Sequence, residues 1–198
     1  MFEIIDFHTH PYTYDKNNLC PYASHCGMTP DTTIELMDTH NVSKFCGSVI
    51  CFKDRESHKT QWETVKLSND LALQLADKYN GRYIPGFHVH PSYVKESCEE
   101  IERMHKAGVK LIGELVPYIH GWPAQDYTTK ELDEILDVAA SYNMVVSFHS
   151  STSVFADMIK KHPDIIFVGA HPGEYEAYME HLELLKKYDN YFLDLSGY

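Results

Sequence analysis

The sequence predicts an α/β protein, a (β/α)8 TIM-like barrel of the metal-dependent hydrolase type in which about seven β/α units are present. Three observations carry this. Seven short apolar runs alternate with helical patterns, with few residues between them. The runs are rich in Val, Ile and Phe and several lack strict alternation, as parallel strands buried on both faces do. Finally, several runs end on His or Glu, the residues a barrel gathers at its C-terminal face.

The strands are expected at 3–8, 44–52, 83–88, 109–115, 144–149, 165–170 and 191–195. Thr29-Pro30 reads as an N-cap followed by proline at the first helical position. Residues 61–79 form a longer helix of mixed polarity. Leu132, Ile135, Leu136, Ala139 and Ala140 keep a helical period, and so do Tyr175, Tyr178, Met179 and Leu182. A doubly wound dinucleotide fold would need a Gly-rich turn after the first strand. Here that turn is His8-Thr9-His10-Pro11, which favours the barrel. A complete barrel has eight strands and about 250 residues. The chain has 198 and stops after the seventh run, so one domain over 1–198, incomplete at its C-terminus, is expected.

The net charge of -12, with no basic stripe, argues against nucleic acid. No segment approaches the length of a membrane span, and the N-terminus lacks a basic stretch followed by an apolar run. The five cysteines, Cys20, Cys26, Cys46, Cys51 and Cys98, are odd in number and scattered, which argues against a disulfide framework. A cytoplasmic protein with a small-molecule substrate is expected, and a homodimer is allowed.

Histidine is the unusual component, with 13 residues. His8 and His10 are two apart on the first strand, so both imidazoles point to one face and can chelate one cation. His149 ends the fifth strand, His171 the sixth and Glu114 the fourth. In a barrel these ends share one mouth. A second His-x-His, His88 and His90, ends the third strand, and His90 is a candidate for substrate contact. The loop at 117–127 offers Tyr118, His120 and Trp122 as pocket-lining residues. The stretch after His10, with Tyr12, Tyr14, Cys20, His25 and Cys26, reads as a lid or rim rather than a zinc site. His40, His58, His105, His162 and His181 fall in helices or their flanks, and a solvated surface is expected for them.

Asp-Phe-His-Thr-His at 6–10, Gly-Glu-Leu at 113–115, Phe-His at 148–149, Gly-Ala-His-Pro-Gly at 169–173 and Leu-Asp-Leu-Ser-Gly at 193–197 carry a resemblance. The chain resembles the amidohydrolase superfamily, and within it the amidohydrolase-2 group that includes aminocarboxymuconate-semialdehyde decarboxylase-like enzymes. The resemblance implies a distorted TIM barrel. It implies that His8, His10 and His149 bind a divalent metal, usually zinc, with manganese or iron as alternatives. His171 matches a sixth-strand histidine that acts in acid–base chemistry or binds a second metal, and is the expected catalytic residue. Glu114, expected beside His171 in the catalytic set, either bridges two metals or accepts a hydrogen bond from a ligand histidine or from substrate. The family also has a catalytic aspartate after the eighth strand. This sequence has no matching motif, and Asp194 is read as part of the seventh strand.

The expected chemistry is hydrolysis of an amide, ester or related bond, because a bound divalent metal acidifies water. Non-oxidative decarboxylation or hydration uses the same ligands, on a substrate carboxylate. A basic residue on the mouth loops would favour it; the loops after the fourth and fifth strands carry no Arg. The third reading is a catalytically incomplete metal-binding scaffold.

Overall fold

The computed structural model describes residues 3–11, 30–50, 61–124 and 128–197. They group into two compact units, Met1–His88 and Val89–Tyr198.

The first unit contains β1 (Ile4–Asp6), α1 (Pro30–Thr39), β2 (Val42–Ser48), α2 (Gln61–Lys78) and β3 (Tyr83–Phe87). The strands pair in parallel, Asp6 opposite Phe45 and Phe45 opposite Tyr83. Pro30 opens α1, where its fixed φ suits the first turn and its missing N–H costs nothing. Thr29, expected to cap it, lies outside the described residues. Met37, Phe45, Val49, Ala72, Leu75 and Tyr83 form the buried core. Gly47 has φ 146°, and a Cβ there would come within 1.9 Å of the Thr9 carbonyl oxygen. Only glycine lets the 8–10 segment run this close to β2.

The second unit contains β4 (Leu111–Leu115), β5 (Val145–Phe148), β6 (Ile166–Gly169) and β7 (Tyr191–Leu193), parallel and in sequence order. A 3-10 turn (Pro91–Tyr93), α3 (Val94–Lys106), α4 (Pro117–His120), α5 (Lys130–Ser141), α6 (Thr152–Lys161) and α7 (Tyr175–Lys187) complete it. α5 buries Leu132, Ile135, Leu136 and Ala139, the stripe read from the sequence, and the Thr129 hydroxyl caps it by accepting from the Leu132 N–H at 3.2 Å. Ile101, Met104, Ile112, Phe155, Met158 and Phe167 are fully buried. Seven parallel strands alternating with helices are the TIM-like β/α-barrel class, here with seven β/α units.

The expected elements are present with shorter strands, and three expectations need correction. α7 does not bury the Tyr175–Met179 side of its stripe: Tyr175 is 76% and Met179 40% exposed, while His181 and Leu184 face inward. The reason is a polar anchor. The Tyr191 hydroxyl lies 2.6 Å from His181 Nδ1 and the two rings stack, which turns that face of α7 toward the sheet. His181 and His162, expected at the surface, are therefore both buried, and His162 lies 3.2 Å from a carboxylate oxygen of Asp133 and of Asp137. Finally, β7 ends at Leu193, so Asp194 lies just beyond the strand, its N–H still donating to the Gly169 carbonyl at 3.0 Å.

Candidate active site and metal-ligating residues

In the first unit, the backbone N–H and hydroxyl of Thr9 both donate to the Cys46 carbonyl, at 2.9 and 3.0 Å. Thr9 is thus held against β2 while its two neighbours project away from it. His10 Nδ1 lies 2.9 Å from the Ser48 carbonyl oxygen. A carbonyl can only accept, so Nδ1 carries the proton and Nε2 presents its lone pair. That Nε2 is 3.1 Å from His8 Nε2. Two imidazoles bound to one tetrahedral zinc at ordinary Zn–N lengths have their nitrogens about 3.3 Å apart, so the pair already has the spacing of a chelate. Burial first, and the Asp6 charge second, push the nearby Cys46 thiol up to about 12, and its Sγ donates to the Phe7 carbonyl at 3.2 Å.

In the second unit, Glu114, His149 and His171 come together from three strand ends, with ligand atoms within 4.8 Å of one another. Glu114 is placed by an irregularity. Pairing of β4 with β5 runs Ile112 opposite Val146, then Leu115 opposite Phe148, so Gly113 and Glu114 together face the single residue Ser147. This bulge re-aims the Glu114 side chain. It depends on Gly113, whose φ is 104° and whose Cβ would lie 2.1 Å from the Ser147 carbonyl oxygen; the Gly113–Glu114 peptide is cis. Glu114 is only 4% exposed. Its Oε1 accepts from His149 Nδ1 at 3.0 Å, leaving the His149 Nε2 lone pair for other work. His149 sits one residue past β5, its N–H donating to the Leu115 carbonyl at 2.8 Å. The exposed ring of Tyr118 meets it edge to face at 5.5 Å.

His171 follows β6 in the left-handed region, at φ 65°. Its ring centroid is 5.1 Å from that of His149 and its Nε2 is 3.6 Å from Glu114 Oε1. Its Nδ1 is 2.9 Å from the Ser196 carbonyl. The Leu-Asp-Leu-Ser-Gly motif contains Asp194 and Ser196, and reading Asp194 as part of the seventh strand gives neither residue a role at the mouth. Asp followed two residues later by Ser, just past a strand, is a turn signal that would have placed them at the mouth.

The remaining candidates are buried. His90 Nε2 donates to the His120 carbonyl at 3.0 Å, and its Nδ1 accepts from the Ser92 N–H at 3.1 Å, closing the 3-10 turn. Burial pushes the His90 imidazole below its ordinary range, with the His120 carbonyl opposing. Its ring meets Trp122 at 6.2 Å, and Trp122 meets Phe148 at 5.6 Å. His120 and Trp122 are 6% and 4% exposed, so of the proposed pocket-lining residues Tyr118 alone presents its ring to solvent. His88 is fully buried and its Nε2 donates to the Val49 carbonyl at 3.0 Å. Tyr12, Tyr14, Cys20, His25 and Cys26 lie outside the described residues, as do 125–127 of the loop after β4. Among the described residues no helix is long and apolar enough to cross a membrane.

Comparison with solved structures shows the fold. A TIM-barrel protein from Bordetella bronchiseptica aligns with TM-score 0.72 and 12% identity, over 97% of this chain and 74% of its own. A probable 2-pyrone-4,6-dicarboxylic acid hydrolase from Acinetobacter baumannii aligns with TM-score 0.62 and 15% identity, over 99% of this chain and 71% of its own. A manganese complex of 5-carboxyvanillate decarboxylase from Novosphingobium aromaticivorans aligns with TM-score 0.54 and 16% identity, over 84% of this chain and 58% of its own. No curated protein matches the chain. The amidohydrolase family model matches residues 5–198, nearly the whole sequence and every strand end described above, and the chain belongs to that family.

Proposed function

We propose that this chain is a metal-dependent hydrolase acting on an amide, ester or related bond of a small molecule. One observation carries the reading. His10, His149 and His171 each give Nδ1 to an acceptor oxygen, of Ser48, Glu114 and Ser196, and keep Nε2 as a lone pair. Neutral imidazoles oriented in this way are what a zinc, manganese or iron site requires. On this reading His8, His10 and His149 are the metal ligands, as the family resemblance implies. Glu114 holds the His149 ring and raises its basicity rather than bridging two ions. When bound, a divalent cation supplies Lewis acidity, polarising a substrate oxygen and acidifying water. His171 accepts the water proton at Nε2, and Tyr118 forms part of the substrate wall.

The choice of hydrolysis over decarboxylation rests on charge. A substrate carboxylate would call for an arginine at the site. Of the three arginines in the sequence, Arg82 is paired with Asp38 at 2.7 Å and Arg103 with Glu100 at 2.5 Å; Arg55 lies outside the described residues. The decarboxylase of similar fold supports the second reading, the same ligands acting on a carboxylated ring. Substrate panels run in 18O-labelled water separate the two. Label in the product acid supports hydrolysis, whereas release of CO2 with no label in the organic product replaces it with the lyase reading. Elemental analysis tests the ligands: His8→Ala with His10→Ala is expected to abolish bound metal, and Cys20→Ala to retain it. Equal metal content in both variants would sink the assignment. Metal retained with no turnover in either assay leaves a metal-binding scaffold.

A further inference from the structure

We propose that the turn at 194–197, just past β7, is a positioning element that locks the neutral His171 imidazole in its Nδ1–H form and presents Nε2 as a proton acceptor. The inference rests on the functional reading above for the use to which that lone pair is put. It does not rest on that reading for the geometry.

The bonds from the ring to Ser196 place a proton on Nδ1. His171 Nδ1 is 2.9 Å from the Ser196 carbonyl oxygen, which cannot donate. It is also 3.1 Å from the Ser196 hydroxyl oxygen. That hydroxyl gives its own hydrogen to Asp194 Oδ1 at 2.6 Å, so toward the ring it too can only accept. Both Ser196 oxygens therefore demand a proton on Nδ1. The same Asp194 oxygen accepts from the Ser196 N–H at 2.9 Å and faces the His171 N–H at 3.4 Å, tying the turn to the histidine it serves. Asp194 is itself fixed by the sheet through its bond to Gly169. Gly197, at φ 84°, completes the cradle: a Cβ there would come within 2.6 Å of His171 Nδ1. On the other side of the ring, Nε2 faces Glu114 Oε1 at 3.6 Å.

Asp, Ser and His in contact suggest a nucleophilic triad, but the geometry is a different one. In a triad the carboxylate bonds the ring and the ring's other nitrogen takes the hydroxyl proton. Here the hydroxyl donates to the carboxylate, and the ring nitrogen beside it carries a proton rather than a lone pair. Asp194 and Ser196 act through His171 and are positioning residues.

The test is a long-range 1H–15N correlation spectrum of the histidine side chains in the full chain at about pH 8, above the ordinary histidine range. The His171 signals are assigned by their loss in His171→Gln. The expected spectrum shows a protonated Nδ1 and a lone-pair Nε2. A protonated Nε2 would overturn the proposal, and this result needs no variant of the turn. In Asp194→Ala the ratio of the two tautomers is expected to shift roughly fivefold toward Nε2–H, the equivalent of one ordinary hydrogen bond. An unchanged ratio overturns the role of Asp194. With a substrate in hand, Asp194→Ala is expected to lower kcat and leave KM near its original value. A chain with the Nδ1–H form and no turnover would defeat the functional reading while upholding the positioning of His171.

Discussion

At the residue scale, the site is governed by what each imidazole does with its Nδ1. Glu114 is the most informative single position, because it is buried, sits on a bulge and bonds His149. Replacing it with Gln keeps the size and an accepting oxygen but removes the charge behind the ring. Removal of such a partner ordinarily costs about 10–100-fold in metal affinity. Glu114→Gln is therefore expected to weaken metal binding by about that factor with the fold intact, read by competition with a fluorescent chelator. Undiminished affinity would mean that the carboxylate does not support a ligand. The second His-x-His shows why spacing alone is a poor guide at this scale. His88 and His90 have the same separation as His8 and His10, yet the ring nitrogens of His90 are spent on a turn and on the His120 carbonyl, and His88 Nε2 on Val49. The difference lies in which backbone carbonyls surround each ring, and a one-dimensional motif does not contain it.

At the element scale, Gly47 and Gly113 let chain segments approach where side chains would not fit. Gly113 and Gly81 both have positive φ, at 104° and 76°, but a Cβ on Gly81 meets nothing within 4 Å. The pair separates backbone strain from collision. Gly81→Ala is expected to cost about 1 kcal/mol. Gly113→Ala adds a collision with the Ser147 carbonyl and is expected to cost about 2–4 kcal/mol. Urea midpoints of the two variants check this, and equal losses would remove the argument that the β4 bulge is sterically set. The helices tell a related story. α5 buries the stripe its sequence shows, because nothing polar competes for that face. In α7 the apolar period is just as legible, but the His181–Tyr191 bond outweighs it and Tyr175 is left in solvent.

At the scale of the whole molecule, two buried histidines make stability depend on pH. Burial holds both His90 and His181 below their ordinary value of 6.5, the His120 carbonyl and the Glu180 charge opposing weakly. Below 6.5 the unfolded chain takes up protons that the folded chain refuses, so the unfolded state binds more protons and stability falls as pH falls. Above that value neither state is protonated at these positions and the effect vanishes. The melting temperature is expected to be level between about pH 7.5 and 8.5 and to decline from about pH 6.5 downward. Combined His90→Asn and His181→Asn substitutions should flatten the decline, and a Tm that rises on acidification would contradict the assignment.

Much of this protein is written locally. The seven β/α units follow from apolar runs and helical periods, since strand and helix patterns are set by neighbours a few residues away. The positions of Glu114 at the end of β4, His149 just past β5 and His171 just past β6 follow from the same pattern, whereas β1 stops at Asp6 and leaves His8 and His10 beyond the strand expected to carry them. What the one-dimensional pattern does not hold is pairing across the fold: the bulge that turns Glu114 toward His149, the burial of His162 and His181, and the Asp194–Ser196 turn that takes His171 Nδ1. Each joins residues ten or more apart and depends on which partner a side chain meets across the fold. Hydrogen-bond direction is a property of atoms in space, and only the tertiary structure supplies it.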